Sequence, residues 1–174
     1  MFIAGSIRIR NGIVVNNLFL NSLGTSQVAI NPAYDSLIAN NIFYGSAPAA
    51  GSVANCTYNN NISLSPYNPG SGNDLMPPNG QGTNIGINNI NDQDPLLTAI
   101  TPGGTTSWDF AFDLRLQSGS PGKNAGTDGT DMGVYGGTYP WDLEPAIPII
   151  ETFNTSAVVP QGTNLSLTVK ANAN

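Results

Sequence analysis

The chain contains no histidine, and that absence removes more chemistry than any other feature of it. A serine or cysteine nucleophile activated by an imidazole base is excluded. Zinc is disfavoured, because Cys56 is the one cysteine and no imidazole can join it at a metal. A lone cysteine also rules out an intrachain disulfide, and Cys56 reads as a small buried hydrophobe. Basic residues are scarce: Arg8, Arg10, Arg115, Lys123 and Lys170 stand against 11 acids, for a net charge of −6. Nucleic acid requires clustered Lys or Arg, so no nucleic-acid partner is expected. Apolar runs are short, and none reaches the roughly 18 residues a membrane helix needs. The opening "MFIAGSIRIRNG" lacks the basic region, long apolar stretch and cleavage site of a signal peptide. That fits a cytoplasmic chain, one already processed, or a fragment of a longer protein.

Charged residues are only 9 % of the chain, yet 40 % hydrophobic content argues against disorder. What is abundant is glycine (20), proline (13) and asparagine. These residues break helices and supply turns. No window carries a helical stripe built from good helix formers. The composition is that of an all-β protein, and 174 residues suit one domain with a small appendage.

A four-fold echo runs through the first half. It reads "VVNNLFL" (14–20), "IANNIFY" (38–44), "YNNNISL" (58–64) and "GINNIND" (86–92). An Asn-Asn pair followed by Leu or Ile begins at Asn16, Asn40, Asn60 and Asn88, at intervals of 24, 20 and 28 residues. Units this short suit one coil of a solenoid of strands and turns. Stacked about 4.8 Å apart, equivalent asparagines can hydrogen-bond from coil to coil. The expected ladder is Asn16, Asn40, Asn60 and Asn88, with the following Leu or Ile stacked inward. Asparagine also tolerates the left-handed backbone of a sharp bend.

These coils resemble those of right-handed parallel β-helix proteins of the pectin-lyase-like superfamily. The stretch "DLRLQSGSPGKNAGTDGTDMGVYGG" (113–137) is similar to the segment that ends many such helices, and Asp94-Pro95-Leu96 matches what commonly precedes it. Lys123 departs from that pattern, where an aliphatic residue or Ala is common. The tail, "PAIPIIETFNTSAVVPQGTNLSLTVKAN", resembles appendages of secreted or surface proteins of Bacteroides-type bacteria. The resemblance implies a right-handed parallel β-helix over residues 1–143 with a short C-terminal β tail or cap over 144–174, located outside the cell or at its surface. It also implies contact with polysaccharides or host surfaces. An exposed N-terminal coil needs a cap or partner strand, which points to self-association.

Further segments fit this frame. "WDFAFDLRLQ" alternates, with Trp108, Phe110, Phe112, Leu114 and Leu116 on one face and Asp109, Asp113 and Arg115 on the other. With Tyr135, Tyr139 and Trp141 these aromatics are expected to close the barrel end, Ile147–Ile150 and the tail packing beside them. In the tail, Thr155–Val159 and Leu165–Val169 can form a hairpin across "PQGTN", or the tail is a linker remnant. Residues 65–84 form a long Pro/Gly-rich loop, of a length often functional or mobile.

Few residues carry chemistry. The superfamily includes lyases and glycoside hydrolases, so part of an enzyme whose catalytic coils lie upstream or are missing is the alternative to a non-catalytic structural or ligand-presenting segment. Arg8 and Arg10 alternate on one strand face, with no acid cluster near them at coil spacing, and read as a solvated face. Asp109 and Asp113, about 13 Å apart along a strand, exceed the range of a hydrolytic pair. Asp92 and Asp94 read as turn residues. Asp128 and Asp131, in "DGTD", could hold calcium through carboxylates and loop carbonyls, or could bind backbone N–H groups of their own turn. Tyr34, Tyr44 and Tyr67 could stack on sugar rings, or, for Tyr44 and Tyr58, belong to the core.

Overall fold

The computed structural model describes residues 2–3, 5–21, 27–49, 51–66, 74–80, 82–101, 109, 112–141, 149–155, 162 and 167–172. By its internal contacts the chain divides into two units, Met1–Trp141 and Asp142–Asn174. The described residues are all-β, with no helix.

Strand β1 (Phe2–Ile3) is followed by β2 (Ile7–Arg10), β3 (Ile13–Val15) and β4 (Leu18–Leu20) in the first repeat. The second repeat holds β5 (Gln27–Tyr34), β6 (Leu37–Ala39) and β7 (Ile42–Tyr44). The third holds β8 (Ser46–Ala49), β9 (Val53–Ala54), β10 (Thr57–Asn59) and β11 (Ile62–Leu64), and the fourth holds β12 (Ile85–Ile87). The second unit contains β13 (Ile149–Thr155) and β14 (Leu167–Asn172).

Most strands of the first unit stop after two to four residues because a residue at left-handed φ ends them. Two series of such corners follow the repeat. Asn11, Asp35 and Asn55 (φ 51°, 50° and 57°) precede β3, β6 and β10. Asn16, Asn40, Asn60 and Asn88 (φ 55°, 55°, 49° and 49°) follow β3, β6, β10 and β12. Most side chains lose roughly 1–2 kcal/mol in this conformation, and Asn and Asp lose less.

The corners sort the strands into three sheets. Their orders are β1-β4-β7-β11, β12-β10-β6-β3 and β2-β5-β8, with β9 also on β5. Every neighbour in these sheets is parallel. Val14, Ile38, Tyr58 and Gly86 are register partners, as are Leu18, Ile42 and Ile62. One hydrophobic core draws on all three sheets, with Phe19 and Phe43, Val14, Ile38 and Tyr58, and Ile30, Ala33 and Val53. The rings of Phe19 and Phe43 stack with centroids 5.0 Å apart. This arrangement is compatible with a β-helix-like solenoid.

The aliphatic residue after each Asn pair does not join that core. Leu18, Ile42 and Ile62 lie in a second cluster with Leu20, Tyr44, Leu97, Leu114, Leu116 and Met132. Side chains alternate along a strand, so the central residues Phe19 and Phe43 take the first cluster and their neighbours take the opposite face. Residues of the 97–132 segment cover that second face, and β4 and β7 are therefore buried throughout. Within the covering segment, Thr98 and Ala99 donate their N–H groups to the carbonyls of Arg115 and Asp113, and Leu97 bridges Leu116 in antiparallel sense. Leu114 and Leu116 are buried and Arg115 is exposed, matching the alternation read from the sequence. Phe112, Tyr135 and Trp141 pack against this covered face. Tyr139 is 93 % exposed, while Trp108 and Phe110 lie outside the described residues.

The long loop contributes to the core through its described part. Met76 is buried in the first cluster, and the Ser63 hydroxyl donates to the Asp74 carbonyl. Pro77 lies so close to Gly86 that a Cβ there would sit 2.4 Å from its Cδ. In the second unit, β13 and β14 are antiparallel, with Thr155 opposite Leu167. Among the described residues the hairpin pairs Ile149–Thr155 with Leu167–Asn172; the expected strand Thr155–Val159 lies, after Thr155, outside them.

The asparagine ladder exists, but one residue later than the sequence suggested. The N–H groups of Asn17, Asn41 and Asn61 donate to the Oδ1 atoms of Asn41, Asn61 and Asn89, at 2.9, 2.9 and 3.0 Å. Asn41 and Asn61 also donate Nδ2 to the next Oδ1, at 3.0 and 2.9 Å. Asn16, Asn40, Asn60 and Asn88 instead make the bend. The difference follows from burial: Asn41 and Asn61 are fully buried, and a buried carboxamide must bond on both oxygen and nitrogen.

The Asn61 side chain accepts two hydrogen bonds and donates two. Asn61→Leu is expected to cost about 2–5 kcal/mol by stranding these partners. Asn60→Gly, which keeps the left-handed corner, is expected to cost about 1 kcal/mol. Urea unfolding of the two variants checks the ranking, and equal losses would contradict it.

Candidate functional site

Three regions carry the residues singled out above. The first is a cleft on the β2–β5 pair. In "SIRIR", Ile7 and Ile9 pack against the core while Arg8 and Arg10 are exposed. Parallel pairing sets Arg10 opposite Tyr34, and the guanidinium carbon lies 4.7 Å from the centre of the Tyr34 ring. Arg8, Ile9, Arg10, Pro32 and Tyr34 line an open cleft of about 300 Å³. Beside it, exposed Asp35 accepts a 3.1 Å hydrogen bond from Asn55 Nδ2, which ties up one carboxylate oxygen.

Sequence reasoning treated Arg8 and Arg10 as a solvated face and Tyr34 as a separate aromatic. The structure brings Arg10 and Tyr34 together. The available signal was the interval: they are 24 residues apart, the same offset as Asn16 and Asn40. A side chain one coil away at a known offset is a neighbour.

Tyr44 is not a surface ring. It is 1 % exposed and lies in the cluster beneath the 97–132 segment. Of the two readings open for Tyr44, sugar stacking and core, its burial under that cover matches the core. Tyr58 is fully buried in the core, and burial pushes its hydroxyl pKa well up. Tyr67 lies outside the described residues. Cys56 is buried in the same core, and desolvation raises its thiol pKa, as suits a packing residue.

The second region is the loop that holds Asp128 and Asp131. Asp128 Oδ1 accepts from Thr130 Oγ1 and Thr130 N–H, at 2.7 and 3.1 Å. These bonds, the hydroxyl's first, hold its pKa below the ordinary carboxylate value. Asp131 Oδ1 accepts from the Asn124 N–H at 2.9 Å, and its Oδ2 pairs with Lys123 Nζ at 2.9 Å. Each carboxylate is thus engaged within its own loop. Among the described residues no group of three or more Cys, Asp or Glu side chains could hold a metal ion. Lys123, the departure from the resembled pattern, serves as the cation that closes the loop on Asp131.

The third region is the corner series itself. Asn40 receives the Thr127 N–H on Oδ1 at 2.8 Å and donates Nδ2 to Thr127 Oγ1 at 3.0 Å. Asn60 Nδ2 donates to the Ala125 carbonyl at 2.7 Å, and the Gly133 N–H donates to the Asn40 carbonyl at 2.7 Å. Gly133 is at φ 86°, and a Cβ there would meet Ile42 Cδ1 at 2.5 Å. The Gly-rich stretch therefore runs along the corners as a strap. Asn88 is exposed.

Set against protein-family models, curated proteins and solved structures, the chain matches none. The functional reading accordingly rests on the geometry above.

Asp131→Ala is expected to lower the melting temperature by several degrees, because it frees the Lys123 ammonium and the Asn124 N–H. Calcium and chelator are expected to leave the melting temperature of the unaltered chain in place. The Asp128 contribution runs with its depressed pKa: it is fully present above about pH 4 and fades as pH falls through the folded pKa. A chelator-induced drop of the size of the Asp131→Ala effect would reinstate a metal in this loop.

Proposed function

We propose that this chain is a right-handed parallel β-helix segment of a secreted or cell-surface protein that serves as a non-catalytic scaffold and presents the Arg8–Arg10–Tyr34 cleft to an acidic polysaccharide. The fold part is supported by three parallel sheets in register at the repeat interval. The hand is supported by the rule that parallel crossover connections are right-handed in nearly all proteins.

The observation that carries the ligand reading is the guanidinium of Arg10 held over the Tyr34 ring in an open cleft. The stacked guanidinium keeps its in-plane N–H donors available, and these suit a carboxylate or sulfate. The ring and Pro32 offer an apolar floor for the C–H face of a pyranose. Arg8 adds a second exposed cation from the same strand face. In a chain with five basic residues and a net charge of −6, two on one short strand form a distinct local field.

Calorimetry with polygalacturonate and with an uncharged glucan tests this. Binding is expected for the acidic polymer only, weakening as salt rises. Arg10→Ala and Tyr34→Ala are each expected to reduce affinity roughly tenfold or more, as for a lost charged hydrogen bond. Equal binding of both polymers, or no loss in either variant, would contradict the reading. Shortening of the polymer during incubation would favour the enzyme alternative.

A further inference from the structure

The contact that marks the β2–β5 cleft occurs a second time. The chain holds three arginines, Arg8, Arg10 and Arg115. Arg10 lies over Tyr34, and the Arg115 guanidinium carbon lies 5.1 Å from the centre of the Tyr135 ring. Trp141 meets the same tyrosine, with ring centres 5.7 Å apart and planes tilted by 43°. Tyr135 and Trp141 are half-buried and rest on the cluster at the covered face of the β4–β7–β11 sheet. This second group therefore stands on a different sheet from the cleft, within the same unit, Met1–Trp141.

Packing accounts for where the two rings rest but not for what stands above them. The Arg115 side chain is 60 % exposed, while its backbone is held on both sides. Its N–H donates to Asp113 Oδ1 at 3.0 Å, and its carbonyl accepts from the Thr98 N–H and hydroxyl at 3.0 and 2.9 Å. The guanidinium Nη1 lies 3.7 Å from Asp113 Oδ1, beyond hydrogen-bond length. A guanidinium held over a ring in this way keeps its in-plane donors for a planar anion. Tyr139 lies in the loop that closes where the Trp141 N–H donates to the Val134 carbonyl at 2.6 Å. It is 93 % exposed, so the fold gains almost no burial from its ring.

We propose that Arg115, Tyr135 and Trp141 form a second site for an anionic sugar, with Tyr139 as a further ring in the same loop. This rests on the reading of the cleft as a site for acidic polysaccharide. Arg115 pairs with the carboxylate or sulfate, and the indole of Trp141 takes the C–H face of the pyranose. Asp113 sets the rank of the two sites. Its carboxylate beside the guanidinium offsets part of the positive charge, so this site binds more weakly than the cleft, where Arg8 and Arg10 share one exposed strand face. Two sites on different sheets give one copy two points of attachment to polymer, and a polymer that reaches both is held by avidity.

Tryptophan fluorescence isolates the second site. The chain has two tryptophans, Trp108 and Trp141, and neither lines the cleft. In a Trp108→Phe chain, Trp141 is the reporter, and digalacturonate is expected to change its emission saturably. Arg115→Ala is expected to abolish the change and Arg10→Ala to leave it in place. Asp113→Asn is expected to tighten binding severalfold, because it removes the carboxylate that competes for the guanidinium; a purely structural ion pair gives no such tightening. Calorimetry on the unaltered chain is expected to count two digalacturonate sites, and one in either arginine variant. Calorimetric binding that Arg10→Ala removes, with Trp141 silent, overturns the second site and leaves the cleft reading standing. An emission change that survives Arg115→Ala, or that Asp113→Asn does not strengthen, also overturns it. No calorimetric binding at all overturns the cleft and the second site together. Should Trp108→Phe prevent folding, shown by loss of the β circular-dichroism signal, the calorimetric count decides, and a count that Arg115→Ala leaves unchanged overturns the proposal.

Discussion

A carboxamide shut away from water must bond through both its oxygen and its nitrogen, and in this chain that requirement fixes the register on which the rest depends. Asn41 and Asn61 are fully buried, each meeting the asparagine of the next repeat and a carbonyl of the previous one. Sliding one repeat by a residue would strand several polar groups at once, each at about 1–3 kcal/mol. The same slip would also move Phe19 and Phe43 out of the core. Polar and apolar demands therefore select one stacking.

With the register set, each face of the β4–β7–β11 sheet acquires its own task. One face contributes Phe19 and Phe43 to the shared core, and the other presents Leu18, Leu20, Ile42, Tyr44 and Ile62 to the 97–132 segment. The strap that follows is tied to the corners by Thr127, Ala125 and Gly133. Asp128 and Asp131 shape that strap from within, through Thr130, Asn124 and Lys123. Among the described residues the β2–β5 face has no such cover, and Arg8 and Arg10 are exposed there with Tyr34 half-buried.

Much of this was legible in the residues. The Asn-Asn-aliphatic echo gave the repeat, its intervals and the left-handed corners, since Asn is among the few residues that accept that backbone. The alternation around Leu114 and Leu116 gave their burial. Other features were not legible, for physical reasons. Which asparagine of a pair bends and which bonds depends on burial, and adjacent identical residues carry no mark of it. Whether Leu18 or Phe19 faces the core depends on where the left-handed corner resets the alternation. The second corner series, Asn11, Asp35 and Asn55, kept the 24- and 20-residue intervals but was masked by its mixed residue types. Tyr44 stayed open between core and surface because a cover arriving from about 50 residues downstream leaves no trace beside it in sequence. The Arg10–Tyr34 pair was readable by offset alone, once the repeat was treated as a ruler for every residue and not only for asparagines.

Residue-resolved hydrogen–deuterium exchange of the native chain probes the ladder most directly. The backbone N–H groups of Asn41 and Asn61, themselves fully buried, donate to the side chains of Asn61 and of half-buried Asn89, so we expect them to exchange only through global unfolding, as slowly as the core amides of Phe43 and Ile38. The exposed Thr130 N–H, bonded only to Asp128 within its turn, is expected to exchange orders of magnitude faster. Exchange of Asn41 and Asn61 at rates like that of Thr130 would contradict the claim that the asparagine column holds the repeats in register.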